Sequence, residues 1–206
     1  MSNTNKKEIK SKLKLNALGY AYNDVYLFII PFLLSLFREE FQINYVQAGL
    51  ILTVHVALRS IFTLIFGYLG DKYEKKVIIA SGFTCSSIFL GSLIWINNIH
   101  TIVTFLILLV IGVSTFHPLA TAMVRENSKS NQRGRNLSLF LAVGVVGIIV
   151  ASLLFGFLVQ IWGWKTICLL FSLPGYFLVY AYLKSKKSKK NLKVEAEKEI
   201  KQGDIY

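Results

Sequence analysis

Cysteine is nearly absent: Cys85 and Cys168 are the only two in 206 residues. Both fall inside apolar blocks and lack metal-ligand spacing, so they read as small core residues. Catalytic signatures are missing too. There is no Gly-x-Ser-x-Gly, no His-Glu-x-x-His and no pair of helix-borne acids at metal spacing, and His55-x-x-x-Arg59 is not a metal motif. No enzyme and no cofactor are expected. The first apolar block is expected to be a retained helix and not a cleavable leader. Five lysines (Lys6, Lys7, Lys10, Lys12, Lys14) precede the first apolar block, but that block is long and polar-studded, and no small-residue cleavage site follows it. Acids are scarce, 11 against 23 lysines and arginines, which leaves a net charge of +12. Such an excess fits nucleic acid in principle. Here it lies in tails and alternate loops, so no nucleic-acid partner is expected.

What is present is apolar: 54% of the chain is hydrophobic, gathered into long blocks of the kind that cross membranes. Six helices are predicted, at 15–37, 45–69, 77–96, 101–124, 136–161 and 164–183. Each is near or above the ~20 residues that a bilayer crossing needs. A basic tail (1–14) precedes the bundle (15–183). A charged segment (184–206) follows it, read as disordered or as a frayed helix on the membrane surface. Of the 23 basic residues, all but Arg38, Arg59 and Lys165 fall in the two tails, the 2–3 loop and the 4–5 loop. By the positive-inside rule both termini are cytoplasmic, which requires an even number of crossings, and six satisfies it. The expected class is an all-α, six-span bundle in the cell membrane.

Three ionisable residues stand inside predicted spans, where a charge costs at least a few kcal/mol on insertion scales. Asp24 lies nine residues into helix 1, Arg59 ten before the end of helix 2 and His117 eight before Arg125. At ~1.5 Å per residue all three are roughly 12–15 Å from the cytoplasmic boundary. Three polar groups on three helices at one level is what a central transport cavity needs. Asp24 and Arg59 have opposite charges and read as a pair, either lining that cavity or fixing helix packing. His55 sits one turn from Arg59. His117, with a reference pKa of ~6.5, answers to pH in the relevant range, and Pro118 beside it kinks helix 4. On helix 5, Gly144, Gly147 and Ala151 form a small-residue face that lets helices approach closely in lipid.

The polar stretch 67–76 between helices 2 and 3 reads as a tight cytoplasmic hairpin anchored by Lys72, Lys75 and Lys76. Gly67 and Gly70 allow close backbone approach, and Asp71 sits near a helix end where it can accept backbone N–H bonds. Gly67, Leu69, Gly70, Asp71, Lys72, Lys75 and Lys76 resemble the loop signature of the major facilitator superfamily, with Glu74 where the family usually has glycine. A narrower resemblance is to the fosmidomycin-resistance branch. It rests on Asn23-Asp24 with Pro31 in helix 1, on Phe116-His117-Pro118 in helix 4, and on Gly134-Arg135-x-x-Ser138-Leu139-Phe140 before helix 5. Tyr20 stands where that branch commonly has histidine, Ala151-Ser152 where it has Gly-Pro, and Arg59 has no counterpart there.

The resemblance implies a proton-coupled efflux carrier of small anionic or drug-like solutes. Asp24 and His117 would be its residues for protonation or substrate contact; from their places in the spans, Arg59, His55, Asn23 and Tyr20 are expected on the same substrate or proton pathway, and the 67–76 hairpin is expected to act as a conformational gate. Such a carrier has two six-helix bundles with its site between them, and one bundle is present here. A truncated gene product, a half with a separately encoded partner bundle, and a homodimer are the alternatives. A non-transporting membrane interaction subunit is the competing function.

Overall fold

A computed structural model describes the backbone of residues 3–128 and 130–185, with side chains from Ser11 onward. The predicted charged segment lies outside these residues except for Lys184 and Ser185. The described residues are helical, without strands: α1 (Asn3–Glu40), α2 (Tyr45–Lys72), α3 (Lys75–Ser92, followed by a single 3-10 turn), α4 (Ile99–Ser114), α5 (Phe116–Glu126) and α6 (Arg133–Lys184). Among them, five helical runs are long and apolar enough to cross a membrane, with α4 and α5 counted as one run.

The largest departures from the predicted boundaries have physical causes. α1 begins at Asn3 rather than at residue 15. Lysine is a good helix former and no glycine or proline intervenes before Gly19, so the helix runs on past the end of the apolar block. The predicted fourth helix is divided at Thr115. Pro118 has no N–H to give the carbonyl of Ser114, and the break falls there. The two predicted last helices are continuous in α6, but Gly163 interrupts them with φ 72° and ψ 158°.

At Gly163 the chain doubles back. Phe155 and Phe171 have ring centroids 6.1 Å apart, whereas sixteen residues of straight helix would separate them by about 24 Å. The arm before Gly163 runs parallel to α1: Gly144 abuts Tyr20, and Gly147 abuts Ala21. The arm after it runs antiparallel to α1. The Tyr22 hydroxyl donates to the carbonyl of Phe171, and the Tyr182 hydroxyl bonds the Asn16 side chain at 3.1 Å. The backbone at Gly163 lies in a region open to glycine and costly for other residues. Gly163→Ala is therefore expected to lower stability by about 1–3 kcal/mol, read as an earlier thermal unfolding transition in detergent.

Two connections show why the helices start where they do. After α1, Gln42 adopts φ 56° and its side chain donates to the carbonyl of Glu39. Asn44 then caps α2 reciprocally with Gln47 in a capping box. Between α2 and α3 only Tyr73 and Glu74 intervene. Glu74 has φ −69° and ψ 111°, an ordinary extended backbone, so no glycine is required where the superfamily usually has one.

The core is built mainly by α1, α3, α4, α5 and the second arm of α6. Phe83, Phe116 and Tyr182 pack ring against ring at its centre. Cys168 is fully buried there, and Cys85 is half-buried with its thiol 3.6 Å from the carbonyl of Leu108. In contrast, α2 buries only His55 and Gly70, and the first arm of α6 turns Val145, Ile149, Leu153 and Phe157 outward.

Candidate functional site

Asp24 on α1 is buried, and its Oδ1 lies 3.0 Å from Nε2 of His117 on α5. The sequence-level pairing of Asp24 with Arg59 is corrected here: among the described residues the partner within ion-pair distance of Asp24 is His117. Arg59, half-buried on α2, stays farther off, near enough for its charge to act on Asp24 and Tyr20. A histidine supplied by α5 reaches Asp24 because α5 starts at the proline break, which sets His117 in its first turn beside α1.

Tyr20 completes the cluster. It stands one turn before Asp24 on the same face of α1, and its ring meets the His117 ring edge-on with centroids 4.9 Å apart. On its other sides it packs against Phe116 and Phe140. The carboxylate, imidazole and phenol thus form one contiguous polar group, with a guanidinium in electrostatic reach. Such a group sets an acid and an imidazole in direct contact inside the membrane-spanning region.

Two predicted residues stand apart. His55 is buried with no hydrogen-bond partner for its Nδ1 among the described residues. Along α2, His55 is buried whereas Arg59, one turn on, remains half-exposed. Asn23 is also buried, with its Nδ2 unpartnered.

The 67–76 hairpin is braced by charge. Lys75 pairs with Glu126 at 3.1 Å, Lys76 pairs with Glu74 at 3.2 Å, and Lys76 also donates to the carbonyl of Ser185 at 2.9 Å. These bonds join the 2–3 turn to the ends of α5 and α6. Lys72 lies over the ring of Tyr68. Gly70 permits the close approach of Leu119: an added Cβ would stand 2.0 Å from Cδ2 of that side chain. An added Cβ at Gly67 would meet Pro118 at an ordinary 3.8 Å. Asp71 departs from expectation. It lies exposed in the last turn of α2, where free carbonyls rather than N–H groups point outward.

Sequence reasoning missed the neutral polar contacts that lock α1 into the core. Tyr26 shares a 2.8 Å hydrogen bond with Ser87 and reaches the carbonyl of Ser172, while Asn16 holds Tyr182. The recurrence of Asn16 and Asn23 two helical turns apart in an otherwise apolar helix marks a polar stripe on α1 but gives no sign of these hydroxyl partners.

Residues 17–203 match the Major Facilitator Superfamily. The chain belongs to that superfamily. It is 29% identical over 157 residues to the multi-drug resistance efflux pump PmrA of Streptococcus pneumoniae, covering 74% of this chain and 38% of the pump. It is 22% identical over 168 residues to the putative niacin/nicotinamide transporter NiaP of Bacillus subtilis, covering 82% of this chain and 42% of that protein. The fold is similar to that of a bacterial homologue of the human lysosomal transporter Spinster, solved inward-facing and unoccupied. The TM-score is 0.70 at 13% identity, over 91% of this chain and 44% of that one. The superfamily chain described here therefore spans about two fifths of the length of these curated relatives. They are transport proteins of the membrane, not enzymes.

Proposed function

We propose that this chain is the amino-terminal half of a secondary active transporter that exchanges protons for small drug-like or anionic solutes, outward across the cell membrane. The observation that carries the reading is the Asp24–His117 pair at 3.0 Å inside the membrane-spanning region. A buried acid in contact with a half-buried imidazole is an intramembrane ionisable pair, which marks a proton or substrate path by default. Arg59 supplies the positive charge toward which an anionic solute is drawn.

Six crossings with both termini cytoplasmic fit the reversal at Gly163 and the bias of lysine and arginine toward one set of ends. A second six-helix bundle, from a separate chain or another copy of this one, covers the exposed faces of α2 and the first arm of α6 and closes the cavity. The 67–76 hairpin, tied to α5 and α6 by Lys75 and Lys76, acts as the gate that holds one conformation on the cytoplasmic side. Within the superfamily, Phe116-His117-Pro118 and Asn23-Asp24 support a place near the fosmidomycin-resistance branch.

The test uses vesicles carrying the complete two-bundle assembly and an entrapped pH-sensitive dye. An imposed solute gradient is expected to drive proton movement in the opposite direction. Solute movement with no accompanying proton flux would overturn the exchange mechanism.

A further inference from the structure

On the face of α1 turned away from Asp24 and His117, α1 and the last turns of α6 enclose an open cleft of about 320 Å³. Leu18 and Tyr20 illustrate the separation: two residues apart, they point about 200° from one another around the helix. Ser11, Lys12 and Leu15 line the cleft from α1, and Phe177, Tyr180 and Lys184 line it from α6. Lys184 donates to the Tyr180 hydroxyl at 3.2 Å, and its ammonium lies 5.4 Å from the centre of that ring, which holds the charge at the cleft. The sequence continues past Ser185 with Lys186, Lys187, Lys189 and Lys190.

The cleft is basic at one end and apolar beyond. Phe177 at the cleft is 71% exposed and Leu18, one turn past Leu15 on α1, is 61% exposed, so the surface next to the cleft presents hydrocarbon to its surroundings. Farther along α1, Val25 lines a second, smaller hollow between α1 and both arms of α6, walled by Ala151, Ser152 and Phe155 of the first arm and by Phe171 of the second. Ten residues of helix separate Leu15 from Val25, a rise of about 15 Å, which is half the ~30 Å hydrocarbon core and so the depth of one leaflet.

We propose that this cleft binds the phosphate headgroup of an anionic phospholipid of the cytoplasmic leaflet, with an acyl chain laid along α1 between the two arms of α6 toward Val25. The inference rests on the cytoplasmic placement of both termini proposed above. Lys12 and Lys184 supply the charge, Ser11 and Tyr180 supply hydroxyls, and a lysine cluster directly after a membrane helix is the usual footprint of anionic lipid. A free phosphate ion would gain nothing from Leu18 and Phe177, whereas a lipid buries both.

The full chain, purified in mild detergent, is titrated with phosphatidylglycerol and with phosphatidylcholine and observed by native mass spectrometry. Phosphatidylglycerol adducts are expected to dominate. The double variant Lys12→Gln/Lys184→Gln is expected to weaken them about tenfold or more, the share of one to two basic groups. Arg133→Gln/Arg135→Gln removes the same charge elsewhere and is expected to leave them intact. Equal loss in both variants, or none in the first, would overturn the site. Displacement of the lipid by millimolar inorganic phosphate would overturn the lipid in favour of a free anion. Sidedness is read separately: labelling of Ser11→Cys by an impermeant maleimide from outside intact cells would reverse the assumed orientation while leaving the detergent result standing.

Discussion

Vesicles carrying Asp24→Asn in the complete assembly are expected to show no pH-driven solute movement above that of protein-free vesicles. The substitution is nearly isosteric. It leaves an oxygen 3.0 Å from the His117 imidazole to accept its N–H, and the packing of Tyr20 on that ring has no reason to change. What disappears is the group that changes charge. With a neutral amide on α1, the pair can no longer pass between an ionic and a neutral state, and Arg59 loses the opposing charge it feels across the site. Folding and transport therefore separate in this variant. Its elution and unfolding temperature in detergent should match the parent protein, because the hydrogen bond persists, while the flux falls to background. Retained pH-driven flux would remove Asp24 from the mechanism. Loss of folding together with flux would mark the pair as a structural tie, since stripping one partner from a buried ion pair costs about 3–5 kcal/mol.

The identity of that pair marks the limit of what the chain discloses by itself. Helical rise gives depth, so the common level of Asp24, Arg59 and His117 is legible from spacing alone. Azimuth is not legible: an acid at that level is open to either cation until the rotation of each helix about its axis is fixed by packing. The rotation of α5 is set by the break at Thr115 and Pro118, and that of α2 by burial of His55 and Gly70, none of which hydropathy encodes. The turn at 73–74 and the reversal at Gly163 were readable, because a polar gap and a glycine between apolar blocks are local signals. The extension of α1 back to Asn3 was not, since hydropathy reports where a membrane ends and not where a helix does. The hydroxyl contacts of Tyr26 and Tyr182 were equally silent. A tyrosine in an apolar block carries no sign that its oxygen has a partner.

Gly144→Ala is the substitution expected to damage the fold most directly around the site. A Cβ at residue 144 would stand 1.5 Å from Cε1 of Tyr20 and 1.7 Å from its Cδ1, so one of the two must move. The ring has nowhere to go. Phe116, Phe140 and His117 occupy its other sides with centroids at 6.3, 4.5 and 4.9 Å. The arm of α6 must then lift from α1, and Gly147, whose own Cβ would come within 2.5 Å of Ala21, loses its contact as well. In lipid, where close packing rather than hydrophobic transfer holds helices together, that separation is costly. The expected loss is near the upper end of the roughly 1–3 kcal/mol typical of an overpacked core, read from unfolding in detergent. A double-mutant cycle isolates the cause. Tyr20→Ala alone is destabilising because it empties the space, but combined with Gly144→Ala it removes the collision. The double variant is expected to be more stable than the sum of the single effects by about 1–3 kcal/mol. Additive effects would mean that α1 and the first arm of α6 do not meet at these residues. The arm would then not be positioned through Tyr20 beside the Asp24–His117 pair, and changes in helix packing would have no direct route to the proton-holding group.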